Sequence, residues 1–366
     1  MNLLFGRMTA RAAFAMIATA AVASPSMAAT VYTQTNSAAG NKIQIYRSDD
    51  DGLLSLAGTV ATGGTGTDAG LGNQGALALT KNGRWLFAVN AGSNEVSSFA
   101  VTPRGLLLVD KVDSGGTQPV SLTVHEDTVF VLNSGGSGNI SGLRFSWNGH
   151  LKAIPNSIRP LSSATAGAAE VAFDRDGDAL VVTEKASGKI SVYAVDEEEV
   201  SGPTVFASNG PTPFGFAFDR RNHILVSEAF GGAAGASAIS SYDLDEDPVL
   251  LETISASIPT KQSAACWVVL ARHGRFAYVT NTGSGTISGF KVDRHGSLKP
   301  LNVDGVTGIS GGNPLDAAVG HDERTMYVLS PNIGKIVVFR IAANGSATNI
   351  GSALGVPLSA TGLVAR

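Results

Sequence analysis

The feature that most constrains this chain is a pattern that returns along it seven times. From Gly83 the sequence reads Gly-Arg-Trp-Leu-Phe-Ala-Val-Asn-Ala-Gly-Ser-Asn-Glu-Val-Ser-Ser-Phe. From Gly274 it reads Gly-Arg-Phe-Ala-Tyr-Val-Thr-Asn-Thr-Gly-Ser-Gly-Thr-Ile-Ser-Gly-Phe, the same order of residue types through seventeen positions. Weaker copies start near Asp127, Gly177, Asn222 and Glu323, and a partial copy starts at Val31. Successive copies lie roughly 43 to 52 residues apart. A period of that length marks an array of similar units rather than one continuous core.

Each copy has the same internal order. An alternating apolar run such as residues 214–218 comes first, then a polar turn such as residues 174–177. A second run is apolar and β-branched (residues 179–183), and a Gly/Ser/Asn loop leads to a third (residues 189–193). A fourth, less regular run follows, as at residues 106–112. Alternation broken by turn residues reads as an antiparallel meander. Four strands in a unit of this size make a propeller blade. The period is too long for a β-solenoid, and no segment keeps a 3.6-residue apolar period over two turns, which excludes a helical array. The expected fold is therefore all-β: a seven-bladed β-propeller with four-stranded antiparallel blades. The first copy lacks its opening strand, whereas residues 359–366 resemble the opening strands at residues 119–124 and 314–319. The C-terminal strand is expected to close the ring beside Val31, which removes two sheet edges.

Composition agrees. Glycine is 44 of 366 residues and only 15% of residues are charged, which suits short strands joined by tight turns. The single cysteine, Cys266, excludes an intrachain disulfide. Arg7 and Arg11 precede an apolar stretch at residues 12–23, and Ser26 and Ala28 provide the small residues of a cleavage site. Residues 1–28 are therefore expected to be a signal peptide and residues 29–366 one propeller, periplasmic or secreted. The apolar stretch is too short to span a membrane, and none elsewhere is longer. The net charge of −4 becomes −6 once both arginines leave. An acidic chain with no Lys/Arg cluster in its sequence argues against nucleic acid as a partner.

The repeated Pro-x-x-hydrophobic, Gly-Arg-hydrophobic-hydrophobic-Val-x-Asn, Ser-x-Phe-x-Val and Gly-x-Leu elements resemble the lactonase-type propellers. These include the bacterial propeller phosphogluconolactonase and the fungal carboxymuconate cyclase. The resemblance covers nearly all of residues 29–366 and implies the same fold and a lactonase or cyclase activity. It also implies a histidine at the third position of several opening strands. In this chain those positions hold Ala76, Ser121, Glu170, Gly215, Trp267 and Asp316, and none is histidine.

Propeller geometry selects the candidate site. The start of each first strand and the end of each second strand converge on one mouth of the channel. The second-strand ends are Gln34, Asn90, Asn133, Glu184, Glu228, Asn281 and Ser330, and the first-strand starts include Gln74 and Gln118. Asparagine there fits a turn; glutamate is a poor turn residue. Glu184, Glu228 and Glu170 are therefore the candidate acid–base residues, with Asp316 beside them. Such a group could also hold a hard cation or form a solvated rim. Trp267, Cys266, Asp316, Gln118 and Asn281 are candidate substrate contacts. Trp267 offers a stacking surface or a channel plug, and Cys266 a nucleophile or a buried apolar residue. His125, His223, His273 and His321 fall at turns of the opposite face and read as surface residues. Residues 174–178 look like a fragment of a calcium loop but fall where every copy has a turn. No phosphate-binding loop or serine elbow is found, and no cofactor is expected. Two functions stay open: a monomeric exported hydrolase or isomerase acting on a lactone or sugar-acid ring, and a non-catalytic propeller binding a glycan, peptide or envelope protein.

Overall fold

The structure, a computed structural model, describes residues 29–196, 199–247 and 249–366; the expected leader lies outside them. Seven sheets are arranged around one axis. Blade 4 is representative: Ala168–Phe173, Ala179–Glu184, Lys189–Asp196 and Glu199–Ala207 pair antiparallel in that order, from the channel outward. In blades 3 and 6 the outermost strand is broken in two. Leu151–Ala153 and Arg159–Pro160 share the partner Asn139–Phe145, and Leu298–Pro300 and Gly308–Ile309 share Thr286–Val292. The innermost strands of neighbouring blades adjoin one another all the way round.

The ring closes as expected. Thr361–Ala365 supplies the inner strand of blade 1 and pairs with Thr30–Gln34, with Val31 opposite Ala365 and Tyr32 opposite Val364. Beyond the ladder, the Arg366 N–H donates to the Thr30 carbonyl at 2.9 Å and the Thr30 N–H to the Arg366 carbonyl at 3.1 Å. The two ends of the described chain are thus one sheet.

The second strands show why their sequences are continuously apolar. Ala179–Glu184 and Phe276–Asn281 are buried at every residue because blades on both sides cover them. A strand covered on both faces loses the usual apolar–polar alternation. The core lies between blades: Phe87 and Val89 of blade 2 pack with Val129 and Val131 of blade 3. Burying one such side chain contributes roughly 1.5–3 kcal/mol. Buried tyrosines add directed contacts between blades. The Tyr193 hydroxyl donates to the Pro160 carbonyl at 2.9 Å and the Tyr278 hydroxyl to the Gly345 carbonyl at 2.7 Å.

The polar turns hold two further results. Residues 174–178 form a turn in which Asp174 Oδ1 accepts the N–H groups of Gly177 and Ala179 at 2.9 and 3.0 Å. His223, expected on the surface, is buried: its Nδ1 lies 2.9 Å from Asp219 Oδ2, itself buried beneath the turn. The sequence places the turn but does not show that the aspartate preceding it draws the ring inward.

Candidate functional site

The seven residues that end the second strands all have zero exposure. They do not open onto a mouth; most of them clasp the chain as it enters from the preceding blade. Asn90 Oδ1 accepts from Thr62 Oγ1 at 2.7 Å and its Nδ2 donates to Ser97 Oγ at 2.8 Å. Asn133 repeats this with Ser114 and Ser141. Glu184 makes the same clasp as a pure acceptor. Its Oε1 takes the Ser162 N–H at 2.9 Å and the Ser191 hydroxyl at 2.8 Å, and its Oε2 takes the hydroxyls of Ser187 and Ser162. Glu228 accepts from the Gly210 N–H at 2.9 Å, Ser240 Oγ at 2.5 Å and Ser257 Oγ at 2.7 Å. Asn281 donates to Thr286 and Ser288.

The sequence suggested an open acidic rim, and the geometry differs. Glu184 and Glu228 lie at the expected end of their strands but are walled off by that incoming chain. A Cβ on Gly210 would fall 2.3 Å from Glu228 Oε2, as one on Gly116 would fall 2.6 Å from the Asn133 side chain. Such a carboxylate is held ready-solvated by donors that cannot leave, the pattern of a buried polar group kept satisfied.

A different set of residues faces the channel. The inner edge of each innermost strand presents main-chain N–H groups that no further strand pairs, and buried N–H groups need acceptors. On three of these strands a side chain of the preceding blade supplies one. Ser121 Oγ accepts the Val171 N–H at 3.1 Å, Glu170 Oε2 accepts the Phe216 N–H at 2.6 Å, and Asp316 accepts from Leu363. Gly215 has no side chain to continue the series. Gln74 does so instead, crossing from the loop before blade 2 to accept the Val268 N–H at 3.2 Å. Gly215 must be glycine for this to happen: a Cβ there would lie 2.1 Å from Gln74 Oε1 and 2.5 Å from the Cys266 carbonyl oxygen.

The mouth above this layer is closed and mixed in character. The Phe214 and Trp267 rings meet at 5.2 Å between centroids, tilted by 49°, and pack with Ala169 and Cys266. The Trp267 indole N–H is buried without a partner. Lys185 Nζ lies 4.8 Å from the Phe214 ring centroid and donates to the Gly72 carbonyl. Burial lowers the Lys185 ammonium below its usual range, and burial pushes the Cys266 thiol up to about 11, too high for a ready nucleophile. Asn73 joins Val120 of blade 3 to Thr361 of blade 1. Burial, with the charge of Asp316 added, holds the Glu170 carboxyl well above the usual carboxylate range despite the Phe216 hydrogen bond. Burial does the same to Asp316, against N–H groups from Ala317 and Leu363.

The structure thus brings Glu170, Asp316, Trp267 and Cys266 to the channel and separates them from Glu184, Glu228 and Asn281, which are sealed beneath loops. Gln118 is exposed on the rim, where its carbonyl accepts from the Ser134 N–H at 3.0 Å. Lys185 was not legible as a mouth residue; it follows a strand end, and nothing in its neighbours marks it.

Residues 35–159, 137–262 and 230–354 match the model of the family described as Lactonase, 7-bladed beta-propeller. No curated protein matches the chain. Among solved structures it is similar to a candidate 6-phosphogluconolactonase of Bacteroides uniformis, at 15% identity and TM-score 0.72, covering 91% of this chain and 98% of that one. It is similar to the periplasmic gluconolactonase of Pseudomonas aeruginosa, at 19% identity and TM-score 0.71, with 91% and 98% covered. A protein from Lactobacillus plantarum aligns at 18% identity and TM-score 0.74, over 93% and 100%. At these identities the likeness to solved structures is one of fold.

Proposed function

The chain belongs to the seven-bladed β-propeller lactonase family, and from that premise we propose that it hydrolyses a cyclic ester at the channel mouth, with Glu170 and Asp316 as its acid–base pair. The observation that carries this reading is the pair itself: two buried carboxyls in one channel, both raised well above the usual range, Glu170 in part by Asp316. Interacting carboxyls lose their protons in two separate steps, so one stays neutral while the other is charged. Lactone hydrolysis needs that division. The ionised member takes a proton from water as the water oxygen bonds to the ester carbon. The neutral member delivers a proton to the ring oxygen as the ring C–O bond breaks, and a hydroxy acid leaves.

The residues above the pair fit a polar ring. Phe214 and Trp267 offer an apolar face, and the unpartnered indole N–H and the Lys185 ammonium offer donors to a carbonyl or hydroxyl oxygen. Residues 71–75 cover this position, so the substrate enters as that glycine-bearing segment lifts. Incubating residues 29–366 with five- and six-membered sugar lactones, and following acid release, tests the reading; no turnover of any member by the folded protein overturns it.

A second reading is favoured by one observation. Gln74 bridges the channel and residues 71–75 bond to several blades, so the mouth suits a ligand laid across it. In that case the propeller binds a glycan, peptide or envelope protein without chemistry. Binding of such a ligand with no lactone turnover would select it. We also propose that the protein works outside the cytoplasm, periplasmic or secreted, after cleavage at Ala28; N-terminal sequencing of exported material would then begin at Ala29.

A further inference from the structure

The face opposite this mouth carries two clefts of opposite charge. The larger, about 420 Å³, has Glu126, Asp127, Asp176 and Asp178 in its wall. The smaller, about 190 Å³, lies between blades 5 and 6 and is lined by Arg220, Arg221, His273, Arg275 and Arg294. We propose that the smaller cleft binds a multiply charged oxyanion, a phosphate or sulfate group, free or carried on a small molecule.

Four guanidinium groups in one small cleft oppose the net charge of −4 of this chain. Two aspartates also stand in the wall, each held by main-chain N–H groups, and the charge of Asp293 acts on Arg294, so the cleft carries an excess of positive charge rather than four unopposed cations. Asp219 is buried, occupied by His223 and by the N–H groups of Arg221 and His223 at 2.7 and 3.0 Å. Asp293 accepts the N–H groups of His295 and Ser297 at 2.8 and 2.9 Å. Of the four arginines only Arg220 meets a carboxylate among the described residues, Glu323 Oε1 at 3.6 Å; His273 Nδ1 lies 3.4 Å from the same oxygen and 2.7 Å from Arg220. Arg221, Arg275 and Arg294 form no salt bridge among the described residues. Guanidinium forks match tetrahedral oxyanions with paired, charge-assisted hydrogen bonds, which a point charge does not.

The backbone supports a built position. The turn of blade 6 has three successive left-handed residues, Arg272 at φ 54°, His273 at 63° and Gly274 at 75°. The corresponding turns of blades 2, 3, 4, 5 and 7 have one each, at Gly83, Glu126, Gly177, Asn222 and Glu323. Left-handed backbone is unfavourable for residues with a Cβ and persists where its surroundings impose it. Here Glu323 of blade 7 imposes it, its carbonyl accepting the Arg272 N–H at 3.1 Å and its Oε2 the His273 N–H at 2.6 Å. The turn is thereby held with His273 and Arg275 on the cleft.

Calorimetric titration with inorganic phosphate, glucose 6-phosphate and glucose tests this. Both phosphates should bind saturably at one site and glucose should not bind. The double substitution Arg275→Gln with Arg294→Gln should weaken binding at least about tenfold, the loss expected for charge-assisted pairs. Arg84→Gln, in the equivalent turn of blade 2, should leave it unchanged. Glucose 6-phosphate binding more tightly than phosphate assigns the site to an ester; equal affinity assigns it to the oxyanion alone. Absence of saturation, or equal losses in the double variant and Arg84→Gln, would overturn the proposal.

Discussion

Gln74, carried by the loop ahead of blade 2, hydrogen-bonds both main-chain groups of Val268 in blade 6. Its Oε1 accepts the Val268 N–H at 3.2 Å and its Nε2 donates to the Val268 carbonyl at 3.4 Å. One amide side chain therefore plays the part of a missing strand across the channel. It does so where Gly215 has no side chain to act as Ser121, Glu170 and Asp316 do for the blades that follow them.

Replacing Gln74 by alanine removes both bonds from a buried edge. Leaving such groups without partners costs roughly 1–3 kcal/mol. Urea denaturation of Gln74→Ala should show that loss with an unchanged slope. An unchanged midpoint would mean that water replaces the amide freely.

Glu228 should behave as a structural clasp. Glu228→Ala leaves the Gly210 N–H and the Ser240 and Ser257 hydroxyls without their acceptor, and a loss of about 2–4 kcal/mol is expected for removing a charged partner from buried donors. Turnover per folded molecule should stay within about twofold, because the carboxylate does not reach the channel. A variant with native stability and no turnover would place Glu228 in the chemistry instead.

Ring closure was legible in the sequence, and so was nearly every strand, because both rest on a pattern repeated seven times. Residues 359–366 matched an opening strand, and the structure pairs Thr361–Ala365 with Thr30–Gln34. The site was legible only in part. Position along a strand told that Glu170, Trp267 and Asp316 gather at one end of the channel. It could not tell that Glu184 and Glu228, at the same end, are sealed in. That depends on serines and a glycine from other segments, Ser162, Ser191, Gly210 and Ser257, whose approach is set by loop paths and not by periodicity. Gln74 stood at a strand start in the sequence; its reach to a blade on the far side of the ring is a property of the closed ring alone.

Deleting residues 361–366 should open the ring. The loss of an inner strand is worth several kcal/mol, and each lowers the melting temperature by roughly 2–4 °C at this size or somewhat less. A truncated protein melting within about 2 °C of the full chain would show that closure contributes little.

Glu246 should make stability depend on pH. Burial first, then the hydrogen bond and charge of Asp174, raise its carboxyl from 4.5 to about 7; Asn222 Nδ2 joins the two groups at 3.0 and 2.8 Å. The folded protein holds this proton more tightly than the unfolded chain does. The resulting stability is complete below the unfolded value and is lost as pH rises through about 7. Glu246→Gln cannot ionise, so its denaturation midpoint should rise relative to the unsubstituted protein between about pH 5 and about pH 8. A constant or falling difference would contradict the shift.

The most direct test is the rate of lactone hydrolysis by the unsubstituted protein and by Glu170→Gln, each checked for native melting. If Glu170 and Asp316 are the acid–base pair, the unsubstituted protein turns over a sugar lactone. Glu170→Gln, which can still accept the Phe216 N–H, should lose about 10²- to 10⁴-fold of that rate, the span of acid–base catalysis. Turnover in Glu170→Gln equal to that of the unsubstituted protein would contradict the assignment.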